Sequence, residues 1–248
     1  VRVACCNPTL LGIAAVAANR PACARLVAVA PAGRSAASYT TTRDTTSGSA
    51  QAVIETISEL KVQGISTELL LVDSDISALD YARALSRKHG IEKLITIKEG
   101  DVLFFDRAIG DFRPDIIEMM GMIDYLRDTT IILLIRKIQR CLKVGGYFFT
   151  CHIHPNIEAY FLRHVVNWEM TYRSREALCS LIEKGGFSSY RLFTEPHRIH
   201  SVAVARKIAD PSLSELMKDA CGMIDSGFPD LGSNPKHLEG FGQDSMGR

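Results

Sequence analysis

Four consecutive apolar residues, Leu69, Leu70, Leu71 and Val72, run into Asp73, with Asp75 two residues further on. The run does not alternate with polar residues, so a strand made from it must be covered on both faces, as in a parallel sheet. Parallel neighbours need long crossover connections, usually helices, which commits the rest of the chain to an α/β alternation. Asp73 then stands where the strand ends, at the sheet edge where open α/β folds bind ligands. An acid there, following a glycine turn by about 20 residues, can accept two hydrogen bonds from a ribose diol. It can also simply cap the helix that follows.

The expected alternation is present. After Ser47-Gly48-Ser49, residues Val53, Ile54, Ile57 and Leu60 recur at helical spacing, and Gly64 closes that helix. Ile76 to His89 repeats the pattern with Ala78, Leu79, Ala82 and Leu85, and ends at Gly90. Leu94 to Lys98 and Pro114 to Met119 read as strands, Thr129 to Leu142 as a helix leaving through Lys143–Gly146, Tyr147 to Cys151 as a strand, and Ser174 to Lys184 as a helix. Ser189 to Thr194 and Ser201 to Ala205 are then separated by too few residues to hold a crossover helix, so they must pair antiparallel. The predicted fold class is α/β: a doubly wound, mainly parallel sheet closed by a C-terminal antiparallel hairpin.

Charge and cysteine usage exclude several classes. The net charge is +1, so no electrostatic partner such as nucleic acid or an anionic membrane is indicated. No apolar run approaches the ~20 residues of a membrane span. Seven cysteines are scattered without a CxxC pair, which points to neither a zinc ribbon nor a disulfide framework and suggests a reducing, cytoplasmic setting. Leu10 to Ala18 has the length of a signal-peptide core, with Ala22-Cys23-Ala24 as a cleavage-like triplet. Arg2 is the one basic residue ahead of it, so secretion is the lesser reading. The expected organisation is a divergent segment 1–46, a domain 47–208 and a largely disordered tail 209–248 rich in proline and glycine.

The Ser47–Ser49 turn, Asp73, Asp101 and Glu118 all fall at strand ends, and a parallel sheet carries them to one edge. The glycine turn lets backbone approach a ligand and opens a helix whose N–H groups face it. Here VDSDISALDYAR, GDV, RPDIIEMMGMIDYL, LKVGGYFFTCHIHP, EKGGF and SVAVARK resemble the class I S-adenosylmethionine-dependent methyltransferases, from about Ser47 to Lys207. The resemblance is to an uncharacterised branch of that family. It implies a Rossmann-like seven-stranded sheet and S-adenosylmethionine as cofactor. It places Gly48 and Ser49 near the methionine moiety, Asp73 and Asp75 on the ribose, Asp101 with the Val102 N–H at the adenine, and Glu118 beside the cofactor. The pattern departs at the first strand. Thr40 to Thr46, TTTRDTT, is a poor buried strand, and the apolar run Leu26 to Ala30 can supply one through an insertion.

On the acceptor side, His152 and His154 point the same way if their stretch is extended. Either can act as a general base, because a neutral imidazole is matched to pH 7. Both can equally be ordinary loop residues. No second ligand cluster accompanies Cys151, His152 and His154, so no metal is expected. Trp168, Met170 and Tyr172 can line a pocket or pack on the sheet, and Met119, Met120 and Met122 read as core. The activity expected is methyl transfer to a small-molecule acceptor. A non-catalytic methyltransferase-like binding protein and a nicotinamide-dependent oxidoreductase are the alternatives. The missing GxGxxG and the closing hairpin argue against the second.

Overall fold

The computed structural model describes residues 24–29, 50–194, 199–209 and 236. Gly48 and Ser49, the Leu10–Ala18 run, the polar stretch ending at Ser49 and, in the tail, residues 210–235 and 237–248 lie outside the described residues. The described strands form one seven-stranded sheet.

Its centre is the strand the sequence had left open. Ala24–Val29 (β1) lies between Thr67–Asp73 (β2) and Ile116–Met119 (β4), parallel to both. The Leu26–Ala30 run therefore contributes the central strand through residues 24–29. Ile95–Glu99 (β3) extends the sheet beyond β2, and Tyr147–Ile153 (β5) pairs parallel with β4. Ser189–Thr194 (β6) and His200–Arg206 (β7) form the expected antiparallel pair, with β7 inserted between β5 and β6. The order is β3-β2-β1-β4-β5-β7-β6.

Leu69 to Val72 explain how the layers form. Leu69 and Leu71 face one core, with Val53, Ile54, Ile57 and Leu60 of helix Gln51–Val62 (α1) and Leu79, Ala82 and Leu85 of helix Ile76–Lys88 (α2). Leu70 and Val72 face the other core. There they join Leu134, Ile135 and Ile138 of helix Asp128–Cys141 (α4) and Leu178, Leu181 and Ile182 of helix Arg175–Lys184 (α6). Each such Leu, Ile or Val side chain, fully buried, contributes roughly 1.5–3 kcal/mol of transfer free energy. Helix α6 approaches α4 closely because residue 185 is glycine: a Cβ there would stand 2.2 Å from Ile135 Cγ2.

Two short helices were not anticipated. Phe105–Ile109 (α3) and Ala159–His164 (α5) are too brief to show a period. Sequence reading also missed Asp115, 3% exposed just ahead of β4 at the amino edge of the sheet. Its Oδ2 accepts from the Arg25 N–H at 3.0 Å and from Lys143 Nζ at 2.9 Å, and its own N–H donates to Arg25 O at 2.8 Å. Those bonds tie the start of β1 to β4 and to the turn leaving α4.

Candidate active site

The carboxyl ends of β2 and β3 meet first. Asp73, the last residue of β2, is 2% exposed. Its Oδ1 accepts from the Asp75 N–H at 2.9 Å, and its Oδ2 is buried with no hydrogen-bond partner among the described residues. Burial pushes this carboxyl up to about 6, against the lowering effect of the Asp75 and Ser74 N–H groups. Asp73 is therefore not the cap of α2. That task falls to Asp75, whose Oδ1 accepts from the N–H groups of Ser77 at 2.8 Å and Ala78 at 3.3 Å and from the Ser77 hydroxyl. Those bonds hold the Asp75 carboxyl below its ordinary value.

The Gly100 N–H donates to Asp73 O at 2.9 Å, which brings the turn after β3 against the end of β2. A Cβ on Gly100 would stand 3.3 Å from Val72 Cγ1, so the glycine permits this approach. Asp101 follows. Its Oδ1 accepts from the Leu103 N–H at 2.8 Å and caps the turn Val102–Phe104. Val102 opens that turn, so its N–H has no acceptor within it. Lys98, Glu99, Gly100, Asp101, Phe104, Arg107 and Ala108 line an open hollow at this edge.

Glu118 lies across β1 from β2: Ala28 is in register with both Leu71 and Glu118. Strand alternation puts Glu118 and Asp73 on the same face as Leu69 and Leu71, since each lies an even number of residues from the α1-facing core positions. Two strand spacings separate β2 and β4, about 10 Å. A ligand touching both acids must span that distance over the end of β1. Burial pushes the Glu118 carboxyl up to about 8, and the Met120 N–H works against it.

The histidines lie elsewhere. His152 and His154 do point the same way, with ring centroids 4.9 Å apart. His152, however, has the parity of Phe148, on the opposite face of the sheet from Asp73 and Glu118. It is fully buried, and burial holds its imidazole down at about 4. Its Nδ1 lies 3.1 Å from Ile153 O, and its Nε2 has no partner. His154 is half-buried, with Nε2 2.7 Å from Ser201 Oγ. Cys151 alternates to the other face, its thiol pushed up to about 12 by burial.

A second group, of which the sequence reading offered Trp168 and Tyr172 but neither Asp124 nor Arg173, surrounds the loop after β4. Asp124 is 5% exposed, and its Oδ1 accepts from the Ile153 N–H at 3.1 Å. Burial pushes this carboxyl up to about 6, offset in part by Arg173. Arg173 donates to Ile123 O at 2.8 Å, Leu126 O at 2.6 Å and Asp128 Oδ1 at 2.9 Å, so it fixes the loop's carbonyls. Trp168 Nε1 donates to the Tyr125 hydroxyl at 2.9 Å, and the Tyr172 hydroxyl is buried without a partner. Trp168 and Tyr172 thus belong to this group. Met119 and Met122 are core, as expected, and Met120 is half-buried.

The strand order, the acids at the carboxyl edge and the antiparallel closing pair define a Rossmann-like methyltransferase fold. The sequence matches the family model described as "Putative methyltransferase" over residues 26–207, and the chain belongs to that family. The match begins within β1, ahead of the glycine turn. Among solved structures, it is similar to a "possible exported protein" from Bordetella parapertussis, with 21% identity, a TM-score of 0.60, and coverage of 82% of this chain and 68% of that one. A "putative O-methyltransferase" from Nostoc punctiforme shares 20% identity with a TM-score of 0.58, over 81% of this chain and 56% of that one. PigF with S-adenosylhomocysteine shares 18% identity with a TM-score of 0.52, over 74% of this chain and 50% of that one. The chain thus spans between half and about two thirds of these structures. No curated protein matches the sequence.

Proposed function

We propose that the protein binds S-adenosylmethionine and transfers its methyl group to a small-molecule acceptor. The observation that carries this reading is Asp73 Oδ2, a buried carboxylate oxygen without a donor at the end of β2. Buried polar atoms are almost always paired, so this one calls for a ligand donor. A ribose hydroxyl meets that need. Asp101 would accept from the adenine amine through its second oxygen, and the Val102 N–H would face the ring. Glu118 would sit beside the cofactor on the far side of β1, at a spacing suited to an extended nucleoside. Asp75 is engaged in its helix cap, which leaves the ribose to Asp73. Gly48 and Ser49 keep their proposed place near the methionine moiety. When bound, S-adenosylmethionine supplies an activated methyl group on sulfur. What the protein must add is alignment and exclusion of water.

His154 is the member of the histidine pair we retain as a proton acceptor, because it is half-buried and held by Ser201. His152 is placed in the core. Among the described residues, no helix is long and apolar enough to cross a membrane. Cys141, Cys151 and Cys179 are free thiols, which favours the cytoplasm.

Calorimetry on the full chain with S-adenosylmethionine, S-adenosylhomocysteine and NAD tests the reading. Binding of the first two without NAD is expected. NAD binding alone would point to the oxidoreductase alternative. Cofactor binding without turnover over a broad acceptor screen would favour a non-catalytic binding protein.

A further inference from the structure

We propose that Asp124 and Tyr172 form an acceptor subsite that holds a hydroxyl group carried on an aromatic ring. This rests on the methyl-transfer reading and extends it to the substrate class. The two residues come from segments far apart in sequence. They are brought together by the Thr171 N–H, which donates to Asp124 O at 2.7 Å, and by the Arg173 N–H, which donates to Ile153 O at 3.2 Å.

Their unmet hydrogen bonds are complementary. Asp124 uses Oδ1 on the Ile153 N–H, which leaves Oδ2 to accept from a ligand. Arg173, the cation beside it, directs its donors to Ile123 O, Leu126 O and Asp128 instead. Tyr172 buries a hydroxyl that neither donates nor accepts among the described residues. One group of the site can therefore take a donor, and the other has a proton to give. A ligand hydroxyl does both at once: its O–H goes to the carboxylate and its lone pair takes the tyrosine proton. A protonated amine offers donors alone and leaves the tyrosine proton unmet. A ligand carboxylate meets Asp124 as a like charge.

The walls indicate what carries the hydroxyl. Tyr125 and Trp168 are locked to each other by their hydrogen bond and remain 46% and 44% exposed. Two fixed, partly open aromatic rings beside a buried polar pair suit a flat ring with one hydroxyl on its edge.

The test uses the full chain loaded with S-adenosylhomocysteine and three matched probes: 4-nitrophenol, 4-nitroaniline and nitrobenzene. Calorimetry at pH 6 should show 4-nitrophenol binding at least fivefold more tightly than either other probe. Asp124→Asn and Tyr172→Phe should each weaken that binding at least fivefold and leave S-adenosylhomocysteine affinity within twofold. Absorbance should show bound 4-nitrophenol staying protonated to higher pH in the native protein than in Asp124→Asn, because the carboxylate opposes a phenolate. If Asp124→Asn does not fold, Tyr172→Phe decides. Equal affinity for the phenol and the aniline, unchanged phenol affinity in the variants, or no phenol binding while S-adenosylhomocysteine binds would each overturn the subsite and leave the cofactor reading intact. If S-adenosylhomocysteine itself does not bind, both fall.

Discussion

The Asp75 N–H donates to Asp73 Oδ1 at 2.9 Å, so the residue that caps α2 also fixes the carboxylate at the end of β2. The pair divides its work, and two substitutions should separate it. Asp73→Asn is expected to weaken S-adenosylhomocysteine binding at least tenfold, about 1.4 kcal/mol, without lowering stability. Asp75→Ala should cost about 1 kcal/mol of folding stability through the lost cap. Calorimetry and urea unfolding on both variants read the two effects. Unchanged affinity in Asp73→Asn would remove Asp73 from the cofactor site.

Glu118 should make the protein weaken toward alkaline pH. Its folded carboxyl is pushed up to about 8 by burial, from an ordinary 4.5. A raised folded value means that the native state holds the proton more tightly. The resulting stability is fully present below pH 4.5 and lost as pH rises through 8. Asp73 and Asp124, at about 6, act in the same direction at lower pH, so the range from 6.5 to 8.5 isolates Glu118. The melting temperature should fall by several degrees over that range, and Glu118→Gln should flatten the fall. A flat native profile would contradict the assignment.

Asp115 should matter to the fold and not to the chemistry. Removing its carboxylate leaves the half-buried Arg25 N–H without that acceptor and strips Lys143 of its partner. Asp115→Ala is expected to cost about 1–3 kcal/mol. Chemical denaturation measures that loss, and cofactor affinity at low temperature should stay within a few-fold of native.

The histidine pair offers a contrast. His154→Asn should reduce kcat for a hydroxyl acceptor at least tenfold with little effect on KM. His152→Asn should leave the pH profile of kcat in place, because His152 is fully buried and burial already holds its imidazole neutral. A pH profile that moved with His152 and ignored His154 would reverse the two roles.

The helices α1, α2, α4 and α6 were legible because each buries one stripe and stops at a glycine or a tight turn. The closing pair was legible because its link is too short for a crossover. β1 was harder to place. Its six residues, ARLVAV, lie among other alanine-rich apolar stretches, and the family pattern directs attention to the residues just before Gly48. Asp73 could be read because a strand end is a local feature. Asp124 and Tyr172 could not be read as a pair, since what joins them is a tertiary contact with no period or spacing to betray it. The opposed faces of His152 and Glu118 follow from strand register, which the sequence shows only once the strand bounds are known.

The central position of β1 has a consequence for how the molecule is assembled. The strand is bounded by β2 and β4 on its two sides, yet residues 30–49 separate it from the next described element. Its pairings all reach residues distant in the chain, Leu26 to Leu69 on one side and to Ile116 on the other. A chain cut between β1 and α1 should stay associated through the two parallel pairings of β1, as co-elution on gel filtration would show. The keystone of the sheet is then a separable part. Withholding that short piece, or supplying it from outside, would decide whether the remainder can close.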